Sequence, residues 1–117
     1  MNNHSLLLFI FVTLRKDIKK ENLEVAKSVG ADETILITKE STPEQIADEI
    51  MKKLDGFADV TLECTGIEFC INVAILATAS GGKIALVGLG PGKVNLPLSK
   101  ASLKEIDLLG VCRYRNR

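Results

Sequence analysis

Three cysteines, one histidine and a few residues at strand ends are the candidates for chemistry in this 117-residue chain. Cys64, Cys70 and Cys112 form no C-x-x-C pair, and His4 lies in a different segment. An odd number of unpaired thiols suits buried, reduced cysteines better than a disulfide framework or a zinc site. Glu63 and Glu68 flank a turn, where paired carboxylates could do acid–base work. The plainer reading puts Glu63 at a strand end, paired or partly solvated. Asp17, in RKDIKKEN, could accept hydrogen bonds from ribose hydroxyls or serve as a helix N-cap. Gly88-Leu89-Gly90-Pro91-Gly92 leaves a strand end with little side-chain bulk. That suits a ligand lying across it, and equally an ordinary flexible loop. Arg113 and Tyr114 could reach a site beyond the last strand or form a frayed C-terminus. No G-x-G-x-x-G turn, nucleophile-elbow serine or Walker lysine occurs.

The elements that must position these residues alternate along the chain. Asp59 to Gly90, DVTLECTGIEFCINVAILATASGGKIALVGLG, reads as strand, turn, helix, Gly-Gly turn, strand. This is the pattern of a right-handed βαβ unit, which builds parallel sheets. Parallel sheets bind ligands at the carboxyl ends of their strands, so the block points towards nucleotide chemistry. Upstream, Leu6 to Leu14 reads as a strand and Ile18 to Val29 as a helix stopped by Gly30. Thr34 to Thr38 reads as a short β-branched strand. Ser41-Thr42-Pro43-Glu44 reads as a helix start, with Ser41 as cap and Glu44 closing the box. That helix runs to about Leu54. Val60 to Cys64, Glu68 to Thr78 and Ile84 to Val87 are the strand, helix and strand of the central unit. Gly88 to Ala101 reads mostly as loop, and Ile106 to Val111 as the last strand.

Bulk properties narrow the class further. Apolar residues make up 46% of the chain, enough for one modest core. Fifteen basic and fifteen acidic residues cancel, which argues against a nucleic-acid partner. The apolar run at Leu6 to Leu14 is far below the roughly 20 residues that cross a bilayer. It also lacks the flanks of a signal peptide. No membrane partner is expected, and a cytoplasmic setting suits the free thiols.

The segments ECTGIEFCINVAILATASGGKIALVGLG, VNLPL and KEIDLLGVCRYRN resemble the zinc-containing medium-chain dehydrogenase/reductase superfamily, in particular its sorbitol (polyol) dehydrogenase branch. The likeness covers Asp17 to Asn116. The resemblance implies an α/β fold, a partial Rossmann-like, doubly wound parallel sheet lacking the first strand and its glycine-rich turn. It divides the chain into residues 1–16, a non-matching segment with a strand, and residues 17–117, a partial NAD-binding domain. Asp17 would bind the adenosine ribose and favour NAD over NADP. Asn22 stands where the family has a basic residue, weakening that contact. Val87, Gly88 and Leu89 would lie beside the nicotinamide half of NAD. Cys112 and Arg113 would form a second cofactor-contacting turn. Arg113 and Tyr114 would reach a polyol substrate.

The family's zinc and its ligands come from a domain that does not match this chain, so no metal ligands are expected here. By family order the strands run 3-2-1-4-5-6. Leu6 to Leu14 could be strand 2, leaving a gap, or fill the strand 1 slot; its short link to Asp17 favours strand 2. The expected function is a fragment of an NAD-dependent polyol dehydrogenase, transferring hydride from a secondary alcohol to give a ketose, inactive as this chain. The alternatives are a non-catalytic α/β module and a fragment of another medium-chain alcohol or threonine dehydrogenase. The resemblance leaves a homo-oligomer open for the parent enzyme.

Overall fold

The computed structural model describes residues 7–10, 33–35, 37–38 and 40–111, the first four by backbone alone. Among them, four strands form one parallel sheet in the order β1 (Leu7–Ile10), β2 (Ala58–Glu63), β3 (Thr78–Leu86) and β4 (Asp107–Gly110). Helix α1 is Pro43–Leu54, α2 is Glu68–Ala77 and α3 is Leu98–Leu103. Parallel neighbours need crossovers, and α2 supplies the one between β2 and β3.

The sequence makes α2 a central helix. EFCINVAILA is apolar nearly all round, and Cys70, Ile71, Val73, Ala74, Ile75 and Ala77 are buried. Such a helix must be covered on several sides. The sheet covers it through β2 and β3, and α1 packs on it with Ile46, Ala47 and Ile50. Each large aliphatic side chain fully buried there stabilises by about 1.5–3 kcal/mol. Thr78 ends the helix and begins β3. Its hydroxyl donates to the Ala74 carbonyl at 2.6 Å and meets the buried Thr61 hydroxyl at 2.7 Å. With the Thr78 proton committed to Ala74, Thr61 is the donor of the second bond.

The register of β2 against β3 slips at the start of the pairing. Ala58 opposes Thr78 but Val60 opposes Lys83, so Ala79 to Gly82 loop out. Gly81 takes a φ of +76° there, and its amide donates to the Lys104 carbonyl. Lys104 caps the other end of α2. Its ammonium donates to the carbonyls of Ile75 and Leu76 and sits 4.9 Å from the centre of the Phe57 ring. A cation at a helix C-terminus is favourable.

Several expectations need correction. Leu7–Ile10 is not separated from β2 by a gap: it pairs with it directly, Leu7 opposite Val60 through Ile10 opposite Glu63. The slot beside β2, which the resemblance gives to strand 1, is filled. A bare inner edge would leave a row of backbone donors and acceptors unpaired, and this strand satisfies them. The described residues of Thr34–Thr38 form no strand, although Ile35 and Ile37 pack on the core. The cap of α1 is Thr42 rather than Ser41, with Gln45 rather than Glu44 closing the box. Ser41 is already occupied by the amide and hydroxyl of Thr38. Within Gly88–Ala101, read mostly as loop, α3 begins at Leu98. The helix expected at Ile18 to Val29 lies outside the described residues.

Candidate functional site

Three strand ends meet at one edge of the sheet. β2 runs out into Cys64-Thr65-Gly66, which turns into α2. β3 runs out into Val87-Gly88-Leu89-Gly90. The two connections are pressed together backbone to backbone. An ideal Cβ built on Gly66 would meet the Gly90 nitrogen at 2.5 Å, the Leu89 carbonyl carbon at 2.7 Å and the Gly88 oxygen at 2.9 Å. Gly88 and Gly90 face Gly66 in the same way. Gly66 also holds a φ of +71°, which side-chain-bearing residues avoid. These glycines are therefore close-approach residues and not the spacers of a flexible loop.

Glu63 holds the junction. It is the last residue of β2 and is fully buried. Its carboxylate accepts from the Thr65 amide at 2.8 Å, from the Thr65 hydroxyl, and from the Gly66 amide at 2.9 Å. The Thr65 hydroxyl accepts in turn from the Ile67 amide at 3.0 Å. The Glu63 carbonyl accepts the amides of Val87 at 2.9 Å and Gly88 at 3.1 Å. Of the two readings of this strand-end acid, paired or partly solvated, the structure bears out the first and not the second. Its burial is met by three donors, which offset the loss of water. Glu68 acts elsewhere. Its carboxylate accepts the Asn95 amide at 2.7 Å, while the Asn72 side chain donates to the Asn95 carbonyl. The two carboxylates clamp different loops and do not act as a pair.

The amides of the turn that leads into α2 are consumed internally, while α2 itself has no side-chain cap. A helix N-terminus after a parallel strand is ordinarily a ready anion site. Here Thr65, Gly66 and Ile67 donate to Glu63 and Thr65 side chains. What the edge presents instead is apolar: Val87 is 42% exposed and Leu89 75% exposed. Such a surface fits the face of a flat ring and offers little to a phosphate. The nearby thiols are not activated. Burial, followed by the Glu63 charge, pushes the Cys64 thiol up. Burial pushes the Cys70 thiol up too, against a hydrogen bond from Thr65. Raised thiols are poor nucleophiles and poor metal ligands.

Of the residues singled out from the sequence, Val87, Gly88 and Leu89 lie together at this edge. Asp17, Cys112, Arg113 and Tyr114 lie outside the described residues. The Val111 amide donates to the Leu86 carbonyl at 3.0 Å, so β3 and β4 leave the sheet side by side. Sequence reasoning missed the part played by Glu63 and Gly66. The available signal was an acid two and three residues ahead of a Thr-Gly turn. Among the described residues, no group of three or more His, Cys, Asp or Glu side chains could hold a metal. No zinc site can be built from these described residues. Nor is any helix among them long and apolar enough to cross a membrane.

Comparison with known proteins agrees with this architecture. Sorbitol dehydrogenase of Gallus gallus is 43% identical over 100 residues, covering 86% of this chain and 28% of that protein. Sorbitol dehydrogenase of Rattus norvegicus is 46% identical over the same length and the same shares. The chain thus spans about 28% of the length of these relatives. The crystal structure of benzyl alcohol dehydrogenase from Acinetobacter calcoaceticus superposes with a TM-score of 0.67 at 25% identity, over 92% of this chain and 27% of that one. The family model described as zinc-binding dehydrogenase matches residues 11–117. A parallel sheet with paired glycine turns at its carboxyl edge, matched along nearly its whole length, places this chain in the zinc-binding dehydrogenase family.

Proposed function

We propose that this chain supplies the nicotinamide-side half of the NAD site of a polyol dehydrogenase. The observation that carries the reading is the junction of Gly66 with Gly88–Gly90 at the carboxyl ends of β2 and β3, with Val87 and Leu89 exposed beside it. NAD, when bound, supplies the hydride acceptor. Val87, Gly88 and Leu89 form an apolar floor for its ring. Asp17 accepts hydrogen bonds from the adenosine ribose. Cys112 and Arg113 add contacts to the cofactor, and Arg113 and Tyr114 hold the hydroxyls of the polyol in register for hydride transfer. The identity of 43–46% with sorbitol dehydrogenases supports a secondary-alcohol substrate oxidised to a ketose.

The chain by itself does not catalyse this reaction. It encodes no G-x-G-x-x-G turn for the pyrophosphate, and the amides of the turn before α2 are already taken. Calorimetric titration with NAD tests the reading. Binding in the micromolar range supports it. No heat from a folded chain supports a non-catalytic α/β module instead. Turnover of sorbitol by the purified chain with zinc supplied would overturn the claim of inactivity.

A further inference from the structure

We propose that Glu63 is a positioning residue, which locks the turn before α2 to the loop after β3 and so sets the shape of the floor offered to the cofactor ring. The functional half of this proposal rests on the NAD reading above. One residue reaches both connections. Its side chain binds the amides of Thr65 and Gly66 and the Thr65 hydroxyl. Its carbonyl binds the amides of Val87 and Gly88. Between these two sets of bonds, Gly66 is pressed against Gly88 and Gly90. A shift of the turn therefore cannot occur without a shift of Val87–Gly90.

The carboxylate is also the internal occupant of an anion site. It is fully buried, no cation pairs with it among the described residues, and its partners are the amides and hydroxyl of the turn that leads into α2. The positive end of the helix favours a negative charge there. By filling that place itself, the chain keeps a phosphate away from this turn. The apolar surface of Val87 and Leu89 beside it is left open to a ligand. A neutral side chain of the same size could not do this, because an amide brings one acceptor and two donors to a place that offers three donors.

Glu63→Gln in the full chain is the test, read by amide hydrogen exchange and by NAD titration. Exchange at Gly66, Val87 and Gly88 should rise about tenfold, as the loss of a charge-assisted bond implies, while the amides of α1 stay unchanged. NAD affinity should fall by a similar factor. Unchanged exchange at Val87 and Gly88 would overturn the proposal. So would an equal rise in α1, which would mark a general loss of stability. If Glu63→Gln does not fold, Thr65→Val removes one donor to the same carboxylate. It should raise exchange at the same amides by about threefold; no rise there would overturn the proposal. Failure of the unmutated chain to bind NAD would refute the cofactor reading alone, because the exchange pattern needs no cofactor.

Discussion

Replacing Gly66 with alanine should destabilise the chain by more than its backbone conformation accounts for, and Gly81 provides the internal control. Both glycines are left-handed, with φ of +71° and +76°. An L residue in that conformation costs about 1–2 kcal/mol, and both variants carry this cost. They differ in what the new methyl meets. At Gly81 nothing lies within 4 Å. At Gly66 the nearest atoms, at 2.5 to 2.9 Å, all belong to the backbone of Gly88, Leu89 and Gly90. Backbone cannot swing aside as a side chain does, so the loops must part, at about 1–3 kcal/mol for an overpacked site. Parting them also pulls the Gly66 amide away from Glu63. The expected totals are about 2–5 kcal/mol for Gly66→Ala and about 1–2 kcal/mol for Gly81→Ala. With a urea dependence of about 1–3 kcal/mol per molar, the midpoints should separate by roughly 1 M. Urea unfolding of the two variants side by side measures this. Coincident midpoints, or a lower one for Gly81→Ala, would refute the close-approach argument.

Three further outcomes follow from the packing. Thr78→Val should cost about 1–3 kcal/mol, because it leaves the buried Thr61 hydroxyl without its acceptor, while Thr61→Val should cost less, since Thr78 keeps its bond to Ala74; thermal unfolding ranks the two. Thr42→Ala should lower stability by about 1 kcal/mol and Ser41→Ala by less, as urea midpoints will show, because only Thr42 closes the capping box. Lys104 is held below its ordinary 10.5 by burial. Its folded form binds fewer protons than its unfolded form between the lowered value and 10.5. Stability relative to Lys104→Met should therefore rise with pH across that window, checked by denaturation at matched pH values.

The central unit was legible because its signals are local and redundant. The apolar run from Phe69 to Ala77 is too continuous for a surface helix, and turn residues bound it on both sides. Boundaries were less legible where two readings share one pattern. Both Ser41-x-x-Glu44 and Thr42-x-x-Gln45 satisfy a capping box, and the choice falls to Thr38, which engages Ser41. Helix α3 has six residues, too few for a periodicity to register. The place of Leu7–Ile10 was legible only as two alternatives, and the one the short link to Asp17 favoured was not the one found. An apolar strand names no partner, and its position is decided by the open edge of β2. In the candidate site, Gly88 and Leu89 were marked by the glycine-rich strand end and Val87 by the family resemblance. The part played by Glu63 was missed because a strand-end acid is ordinarily solvated, and only the three-dimensional turn shows which donors surround it.

The claim that the edge of β2 and β3 is the floor of an NAD site is tested most directly by nitrogen-labelled NMR of the chain titrated with NAD. Amide shifts at Val87, Gly88 and Leu89 should move together and saturate, with Gly81 at the far end of β3 unmoved. Saturable binding that leaves those three amides in place, or no shift in any amide of a folded chain, would contradict it.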